Sequence, residues 1–358
     1  MNETRRGILL ALLAAALFGA GTPVAKSLLA EVGPTTLAGL LYLGTGIGLA
    51  AFSALRILFG FRRREAPLRL QDWPWLAGAV LTGGIVGPIL LMVGLTTTPA
   101  ANASLLLNLE SLFTWLLAWI VFRESVNLRV GVGALVILSG GLVLSWQGRV
   151  EAFNPGALAI AGACLAWGID NNLTRKLAAA DPVILVMIKG TVAGPCNLLI
   201  AATLGESMPT LAPAILGGAV GMVGYGLSLI CFVLALRSLG TARTGAYFAT
   251  APFLGAVLAV TVFGEAPSLQ LAGAGVLMLV GVLLHLTERH EHEHEHKALR
   301  HTHRHRHDEH HRHEHAVAVA PGAYHVHEHA HAPMVHKHPH FPDIHHRHAH
   351  GGKSGNGR

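Results

Sequence analysis

The stretches LLAWIVFRESVNL (116–128) and VLAVTVFGEAPSL (257–269) decide the fold, because they show that the chain repeats itself at an offset of 141 residues. Each stretch is an apolar run that ends in a Phe-x-Glu turn and leads into a second apolar run. In that second run GALVILSGGLVL matches AGVLMLVGVLL, which pairs Gly140 with Gly281. The chain is therefore predicted to contain two copies of one structural unit.

The repeat extends upstream of these stretches. ALFGAGTPVAKSLLAEVGP resembles LAWGIDNNLTRKLAAADP, which pairs Phe18 with Trp167 and Lys26 with Arg175 at an offset of 149 residues. The change of offset means that small gaps separate the two copies. Because the first apolar segment has an internal counterpart, we expect a retained helix there rather than a cleaved signal peptide.

The composition indicates a membrane protein. The chain has 358 residues, of which 52% are hydrophobic and only 13% are charged, whereas a soluble chain carries about twice that share of charge. A helix that crosses a bilayer needs roughly 20 mostly apolar residues. The predicted fold is an all-α polytopic membrane protein with a tail. Its ten predicted spans are 7–30, 34–57, 74–95, 101–122, 129–147, 155–177, 182–204, 212–237, 243–263 and 268–287.

The basic residues predict the orientation. Thirteen Lys and Arg residues fall in the loops on the side of the N-terminus, and one, Arg149, falls on the other side before the tail. Because basic loops stay in the cytoplasm during insertion, we expect a multi-pass protein of the cytoplasmic (inner) membrane with both termini cytoplasmic. Basic residues confined to short loops between apolar runs do not indicate a nucleic-acid partner.

Each predicted half, 1–147 and 148–287, contains five spans, so the second half enters the membrane inverted relative to the first. Inverted repeats place a substrate site near the bilayer midplane, where the halves meet, and support alternating access. The remaining residues, 288–358, form a separate His-rich tail.

The residues of both repeats resemble the EamA family of drug/metabolite transporters. The resemblance rests on an aromatic-Gly start in each half (FGAGTPVAK, WGIDNNLTRK) and a Phe-x-Glu turn after the fourth helix of each half (FRE, FGE). It covers residues 7–287 and implies ten helices, cytoplasmic termini, a central cavity and a small-metabolite substrate. Phe18 stands where the family usually has tryptophan, and the tail has no counterpart in the common family pattern.

Ionisable side chains within membrane spans are costly and usually face a cavity or a partner. Lys26 lies near the outer end of its span, where it can either extend to the interface or contribute to a substrate site. Asp170 and Lys189 lie at similar depths on consecutive spans, so we expect an ion pair between them. That pair fits either a structural role or a substrate or gating role.

Glu110 is expected close to the bilayer midplane, and its counterpart in the second repeat is Ala251. A carboxyl at that depth is a candidate for proton coupling, and a hydrogen-bonded structural acid is the alternative. Asn108 and Asn171 offer amides that can bind polar substrate groups or cross-link helices.

Three further features have simpler interpretations. The glycine clusters TGGIVG and GGAVGMVGYG favour close helix packing, and Glu124 and Glu265 are predicted helix caps. Tyr225, Tyr247 and Phe248 are candidate cavity aromatics. The three cysteines lie within apolar runs without CxxC spacing, and the chain has no GxSxG, Walker or HExxH motif, so we predict no enzymatic activity.

All 24 histidines lie between His285 and His350. A segment with so few large apolar side chains is predicted to be disordered, and its neutral imidazoles suit Zn, Ni or Co. The predicted metal ligands are His290, His292, His294, His296, His301, His303, His305, His307, His310, His311, His313 and His315. The alternative is a solvated tail that titrates with pH and holds no metal.

The sequence thus predicts a secondary transporter of a small metabolite that requires no cofactor, with Glu110 as a candidate for proton coupling. Its expected partners are the lipid bilayer, the substrate and divalent metal ions. A transporter with divalent metal as its cargo, and a membrane-anchored metal buffer or sensor, are the alternatives. The oligomeric state stays open between a monomer and a homodimer.

Overall fold

The computed structural model describes residues 3–59, 68–122, 128–146, 154–177, 180–239, 241–286, 291–296, 299–305, 325–331 and 334–339. The described residues before 287 form α-helices joined by short links. These helices are α1 (Glu3–Leu28), α2 (Pro34–Leu58), α3 (Trp73–Ala79), α4 (Gly87–Thr97), α5 (Ala100–Leu106), α6 (Leu109–Phe122), α7 (Leu128–Ser145), α8 (Pro155–Thr174), α9 (Pro182–Thr203), α10 (Leu211–Gly221), α11 (Ser228–Leu239), α12 (Thr241–Phe248), α13 (Ala251–Thr261) and α14 (Leu269–Leu286).

These helices follow the predicted spans closely and confirm the all-helical membrane architecture. In the described part of the chain, seven helical stretches are long and apolar enough to cross a bilayer. Gly131–Ser145 and Leu269–Leu284 are shorter apolar helices, and α8 has 20 residues. The bounds agree with the predicted spans to within a few residues, while the count of ten crossings stays a prediction.

Irregular turns occur at matching positions in the two halves. The third predicted span contains the π-helical turns Val80–Val86 between α3 and α4, and the eighth contains Met222–Leu227 between α10 and α11. The fourth span is interrupted after Leu106, and the ninth is interrupted after Phe248. The two halves therefore share helix irregularities as well as sequence.

The contact between α7 and α14 is symmetric. A Cβ built on Gly140 would lie 2.7 Å from Cγ of Met278, and one built on Gly281 would lie 2.6 Å from Cγ1 of Ile137. Ile137 and Met278 are themselves 141 residues apart, so each half contributes the same two positions. The absence of both side chains lets the two helices approach closely.

The glycines that open the two repeats also have equivalent contacts. A Cβ on Gly19 in α1 would lie 2.3 Å from the carbonyl oxygen of Ala251 in α13. One on Gly168 in α8 would lie 3.0 Å from the backbone nitrogen of Thr114 in α6. In each half the first helix therefore packs tightly on the fourth span of the other half.

The tail contains paired strands in its described segments. β1 (Glu291–His296) pairs antiparallel with β4 (Met334–Pro339), and β2 (Leu299–His305) pairs with β3 (His325–His331), in one continuous register. An alternating polar sequence is compatible with such backbone ladders, and the disorder of the tail as a whole stays a prediction. A two-stranded ribbon is marginally stable on its own, so this pairing does not make the tail an independent folded domain.

Candidate functional site

We call the face from which α1 starts the proximal face and the face at which it ends the distal face. The helices alternate in direction, so α9 runs from the proximal to the distal face, while α2 and the α10–α11 stretch run the other way. Packing of the end of α1 on the end of α4, and of the start of α2 on the link after α9, fixes these assignments.

A cavity of about 250 Å³ lies where the two halves meet, in the middle and proximal parts of the helices. Its walls come from α1 and α2 of the first half and from α9, α11, α12 and the second π-helical turn. The lining residues are Phe18, Tyr42, Thr45, Val186, Lys189, Tyr225, Ser228, Leu229, Phe232 and Phe248.

A chain of aromatic rings forms the apolar side of this cavity. The ring centroids of Tyr42 and Tyr225 are 6.0 Å apart. The ring centroids of Phe18 and Tyr225 are 5.6 Å apart, and these two rings meet edge to face. Phe248 continues the chain at 5.4 Å from Phe18 and 5.0 Å from Phe232. Of the predicted cavity aromatics, Tyr225 and Phe248 line the cavity, and Tyr247 does not.

The predicted ion pair between Asp170 and Lys189 is present beside this cavity. The Lys189 Nζ lies 2.5 Å from Asp170 Oδ2, and the two side chains are 12% and 9% exposed. The Thr174 hydroxyl donates to the other Asp170 oxygen at 2.9 Å. A Cβ on Gly83 would lie 1.9 Å from Oδ2, so the missing side chain there makes room for the carboxylate.

Pro88 explains why the backbone around Gly83 can bind side chains. In the π-helical ladder the Gly83 carbonyl would accept from residue 88, and proline has no N–H to donate. Its oxygen instead accepts the Tyr42 hydroxyl at 2.5 Å and the Trp167 indole N–H at 3.0 Å. The proline thereby fixes the orientation of one aromatic side chain of the cavity wall.

The carbonyl of Gly84 also lacks its α-helical backbone partner because of Pro88. Gly84 would pair with residue 88 in an α-helix, and its oxygen accepts from the buried Asn197 amide at 3.0 Å. In the other half, the Gly221 carbonyl accepts the Thr45 hydroxyl at 2.9 Å. These glycines act as acceptors as well as close packing positions, which sequence reasoning missed.

Glu110 belongs to a polar link between α6 and α8 and is outside the cavity lining. Its Oε1 accepts from the Asn171 amide at 2.8 Å, and the same amide donates to the Thr114 hydroxyl at 3.1 Å. Asn172 donates to the Thr114 carbonyl at 3.0 Å. The asparagines therefore cross-link helices, and the proposed proton role of Glu110 stays a prediction.

Asn108 lies at the interruption between α5 and α6. Its amide donates to the Leu105 carbonyl at 2.8 Å and approaches the Met278 sulfur at 3.8 Å. It thus satisfies a carbonyl at a helix end and lies apart from the cavity wall.

Lys26 and Glu265 bind the two helix ends that meet at the distal corner after α4. Lys26 donates to the carbonyls of Leu95 and Thr96, where the α4 dipole is negative. Glu265 accepts from the backbone N–H groups of Ala100 and Ala101 at 2.6 and 2.7 Å. The predicted capping role of Glu265 is present, across the two halves, while Glu124 lies outside the described residues.

Glu206 forms a second cap between the halves on the distal face. It accepts from the Thr35 N–H at 3.1 Å and from the N–H and hydroxyl of Thr36 at 2.8 Å each. Burial raises the pKa of Glu206, but these hydrogen bonds outweigh it and the net pKa is lowered. No local signal at residue 206 predicts this contact, because its partners lie about 170 residues earlier.

Of the predicted site residues, Glu110, Asn171, Asp170 and Lys189 are brought together around α8, whereas Lys26 and Asn108 are not. Within the described ranges, no group of three His, Cys, Asp or Glu residues is arranged to hold a metal. Some predicted tail ligands lie outside those ranges, namely His290, His307, His310, His311, His313 and His315.

The helices and the cavity define a multi-pass membrane protein whose two related halves enclose a small cavity. The EamA-like transporter family matches residues 5–146 and 154–287. The chain belongs to this family, as the sequence motifs predicted, and it is a membrane transporter.

Its relatives have transporter names. An "Uncharacterized transporter" of Methanothermobacter thermautotrophicus is 29% identical over 75% of this chain and 82% of its own length. A "Probable terminal-alkyne amino-acid exporter" of Streptantibioticus cattleyicolor is 26% identical over 60% of this chain and 74% of its own length. A solved structure aligns with a TM-score of 0.57 at 22% identity, over 78% of this chain and 95% of that chain, which supports the fold.

Proposed function

We propose that this protein is a secondary transporter that moves a small metabolite across the cytoplasmic membrane by alternating access. The observation that carries the proposal is the cavity between the halves, which lies on the proximal side of two carboxylate caps. Inverted-repeat transporters bind substrate near the midplane where the repeats meet, and capped helix starts on one face with a cavity towards the other fit one state of alternating access.

The relatives support a small organic substrate. The Streptantibioticus relative has a name that refers to amino-acid export, and a cavity of about 250 Å³ is below the usual range of ~300–1,000 Å³ for drug-sized ligands. The substrate is therefore of metabolite size, and export is the direction that this relative suggests.

A growth screen followed by efflux measurements tests the proposal. Cells that express the full chain are challenged with toxic amino-acid and organic-acid analogues, and efflux of each protective compound is followed from preloaded cells. Leu229→Trp fills the cavity and should abolish efflux. Leu216→Trp is the matched control, because Leu216 is 51% exposed on α10 and its replacement should preserve efflux. Equal efflux by both variants would contradict transport through this cavity.

Glu110 is the candidate for proton coupling. Its hydrogen bond to Asn171 links α6 to α8, and α8 also contains Asp170 of the cavity ion pair. A change in Glu110 protonation changes what it can accept from Asn171, so it can alter the position of α8 relative to α6.

The tail is proposed to bind Zn, Ni or Co. The backbone register pairs His292 with His338, His294 with His336, and three further histidines of β2 with histidines of β3. Repeated pairing of this kind provides several weak sites for a borderline metal. Metal bound to the full chain, compared with a chain that ends at Thr287, tests this proposal.

Divalent metal as the cargo fits the cavity poorly. The lining residues that the structure describes include no His, Cys, Asp or Glu, and a dehydrated divalent ion requires several such ligands. A metal buffer or sensor anchored in the membrane would not need the cavity at all. In the growth screen, protection against Ni or Zn that is lost with Leu229→Trp would favour metal cargo over a metabolite.

A further inference from the structure

We propose that the cavity takes a small organic anion with an apolar body, and that this anion binds by competing with Asp170 for the Lys189 ammonium. The inference rests on the proposed transport function and specifies its substrate class. It follows from which hydrogen-bonding groups of the cavity wall are already used.

Three of the four hydroxyl groups of the described wall have their hydrogens committed to backbone carbonyls, while the Tyr225 hydroxyl has no hydrogen bond among the described residues. Tyr42 donates to Gly83 at 2.5 Å, Thr45 donates to Gly221 at 2.9 Å, and Ser228 donates to Ala14 at 2.9 Å. These oxygens can still accept a hydrogen bond, but in this arrangement they cannot supply a donor to a ligand.

Lys189 is the charged residue among those that line the cavity. Its ammonium has three hydrogens, and within the described residues one is bonded to Asp170. The described lining residues include no carboxylate to receive a cation, and Asp170 is occupied by Lys189 and Thr174. Among the described lining residues, the donors that remain free are the Lys189 ammonium and the Tyr225 hydroxyl, and both favour a carboxylate over an ammonium group.

The remainder of the wall suits the apolar part of such a ligand. The rings from Tyr42 to Phe232 offer faces and edges against which a planar or aliphatic body can pack. A small carboxylate with an apolar body would place its charge at Lys189 and its body among these rings.

Binding of an anion would also change the contact between α8 and α9. Asp170 belongs to α8 and Lys189 to α9, and their ion pair links the two helices at the cavity. When a ligand carboxylate also accepts from Lys189, two anions share one ammonium, so the link to Asp170 weakens. Occupancy is thereby coupled to the packing of two helices of the second half.

Calorimetry on the full chain in lipid nanodiscs tests this proposal with three probes that share a phenyl body. Phenylacetate is the anion, 2-phenylethanol the neutral analogue and phenethylamine the cation. We expect phenylacetate to bind at least tenfold more tightly than the other two. Lys189→Gln should remove most of that preference and leave 2-phenylethanol unchanged, while Lys189→Arg should retain it. Lys176→Gln is the matched control, because Lys176 lies over Trp75 outside the cavity, and it should bind all three probes as the unaltered protein does.

A second, independent test addresses the competition between the ligand carboxylate and Asp170 for Lys189. Asp170→Asn removes the competing carboxylate, so phenylacetate should bind several-fold more tightly, whereas a purely structural ion pair predicts weaker binding. Folding of each variant is checked by its thermal unfolding transition. A preference for phenethylamine, phenylacetate binding that is unaffected by Lys189→Gln, or no binding of any probe would overturn the anion proposal. The efflux test with Leu229→Trp is separate, so these outcomes would leave the transport function standing.

Discussion

The Glu206 cap on α2 can be tested by Glu206→Gln. The carboxylate accepts three hydrogen bonds, through Oε1 from Thr35 and through Oε2 from the N–H and hydroxyl of Thr36. Glutamine has one oxygen, so at best it retains the two bonds to Thr36 and loses the third. One lost bond costs about 1 kcal/mol, and loss of the charge at the helix N-terminus costs a further ~0.3–1 kcal/mol. Because Glu206 is partly exposed, solvent screening reduces the expected total to about 1 kcal/mol.

The assay is thermal unfolding of the purified full chain, in which this loss should lower the midpoint by roughly 2 °C. The pH dependence has a definite sign, because the pKa of Glu206 is lowered in the folded protein. Its contribution is fully present above the ordinary glutamate pKa of about 4.3 and is lost as pH falls through the lowered folded value. The difference between the parent protein and Glu206→Gln should therefore shrink over that acidic range.

Gly33→Ala provides a second test of the same cap without altering any charge. A Cβ on Gly33 would lie 2.3 Å from Glu206 Oε2, while its backbone angles of −59° and 148° suit alanine without strain. It should displace the carboxylate and destabilise the protein, and the double variant should lose less stability than the sum of the two single losses, because both substitutions disrupt the same hydrogen bonds. A neutral Gly33→Ala, or fully additive effects of the two substitutions, would refute the cap as the cause.

Three further predictions concern packing, coupling and the tail. Gly19→Ala should lower stability by ~1–3 kcal/mol, because its Cβ would overlap the Ala251 carbonyl, whereas Gly21→Ala, with open space around it, should be neutral or stabilising in thermal unfolding. Glu110→Gln should abolish or uncouple transport in proteoliposomes while the protein remains folded, and unchanged proton dependence would exclude the coupling role. The full chain should bind several Zn or Ni ions by calorimetry at pH 7.5 and fewer below about pH 6.5, where imidazole is protonated. A chain that ends at Thr287 should lose that binding and still transport, and a folded truncation without transport would contradict a separable tail.

The positions of the helices were predictable from sequence because hydrocarbon selects strongly for long apolar runs. The ion pair between Asp170 and Lys189 was also predictable, since two opposite charges at one depth on consecutive spans have few other partners. Both predictions use properties that are visible within one segment or two consecutive segments of the chain, namely apolar length and the depth of a charge.

The contacts that sequence reasoning missed depend on distant partners. Nothing near Glu206 indicates that its carboxylate binds the start of α2, and nothing near Tyr42 indicates an acceptor at Gly83. Phe232 and Leu229 face the cavity, yet an apolar side chain facing a cavity has the same sequence signature as one facing lipid. Such contacts follow from how the two halves meet, which residue patterns within one helix do not encode.

The symmetric contact of α7 with α14 has a consequence for how the protein can move. In alternating access each half would adopt the conformation of the other. The contact of Gly140 with Met278 would then take the geometry of the contact of Gly281 with Ile137, and the reverse. The interface would therefore keep a glycine packed against the equivalent position of the other helix in both arrangements. The Glu206 and Glu265 caps instead join the end of one span to the start of the equivalent span in the other half, so the same exchange would replace them with contacts between other residues. We therefore expect the contact between α7 and α14 to change little during alternating access, and the contacts at the two caps to change more.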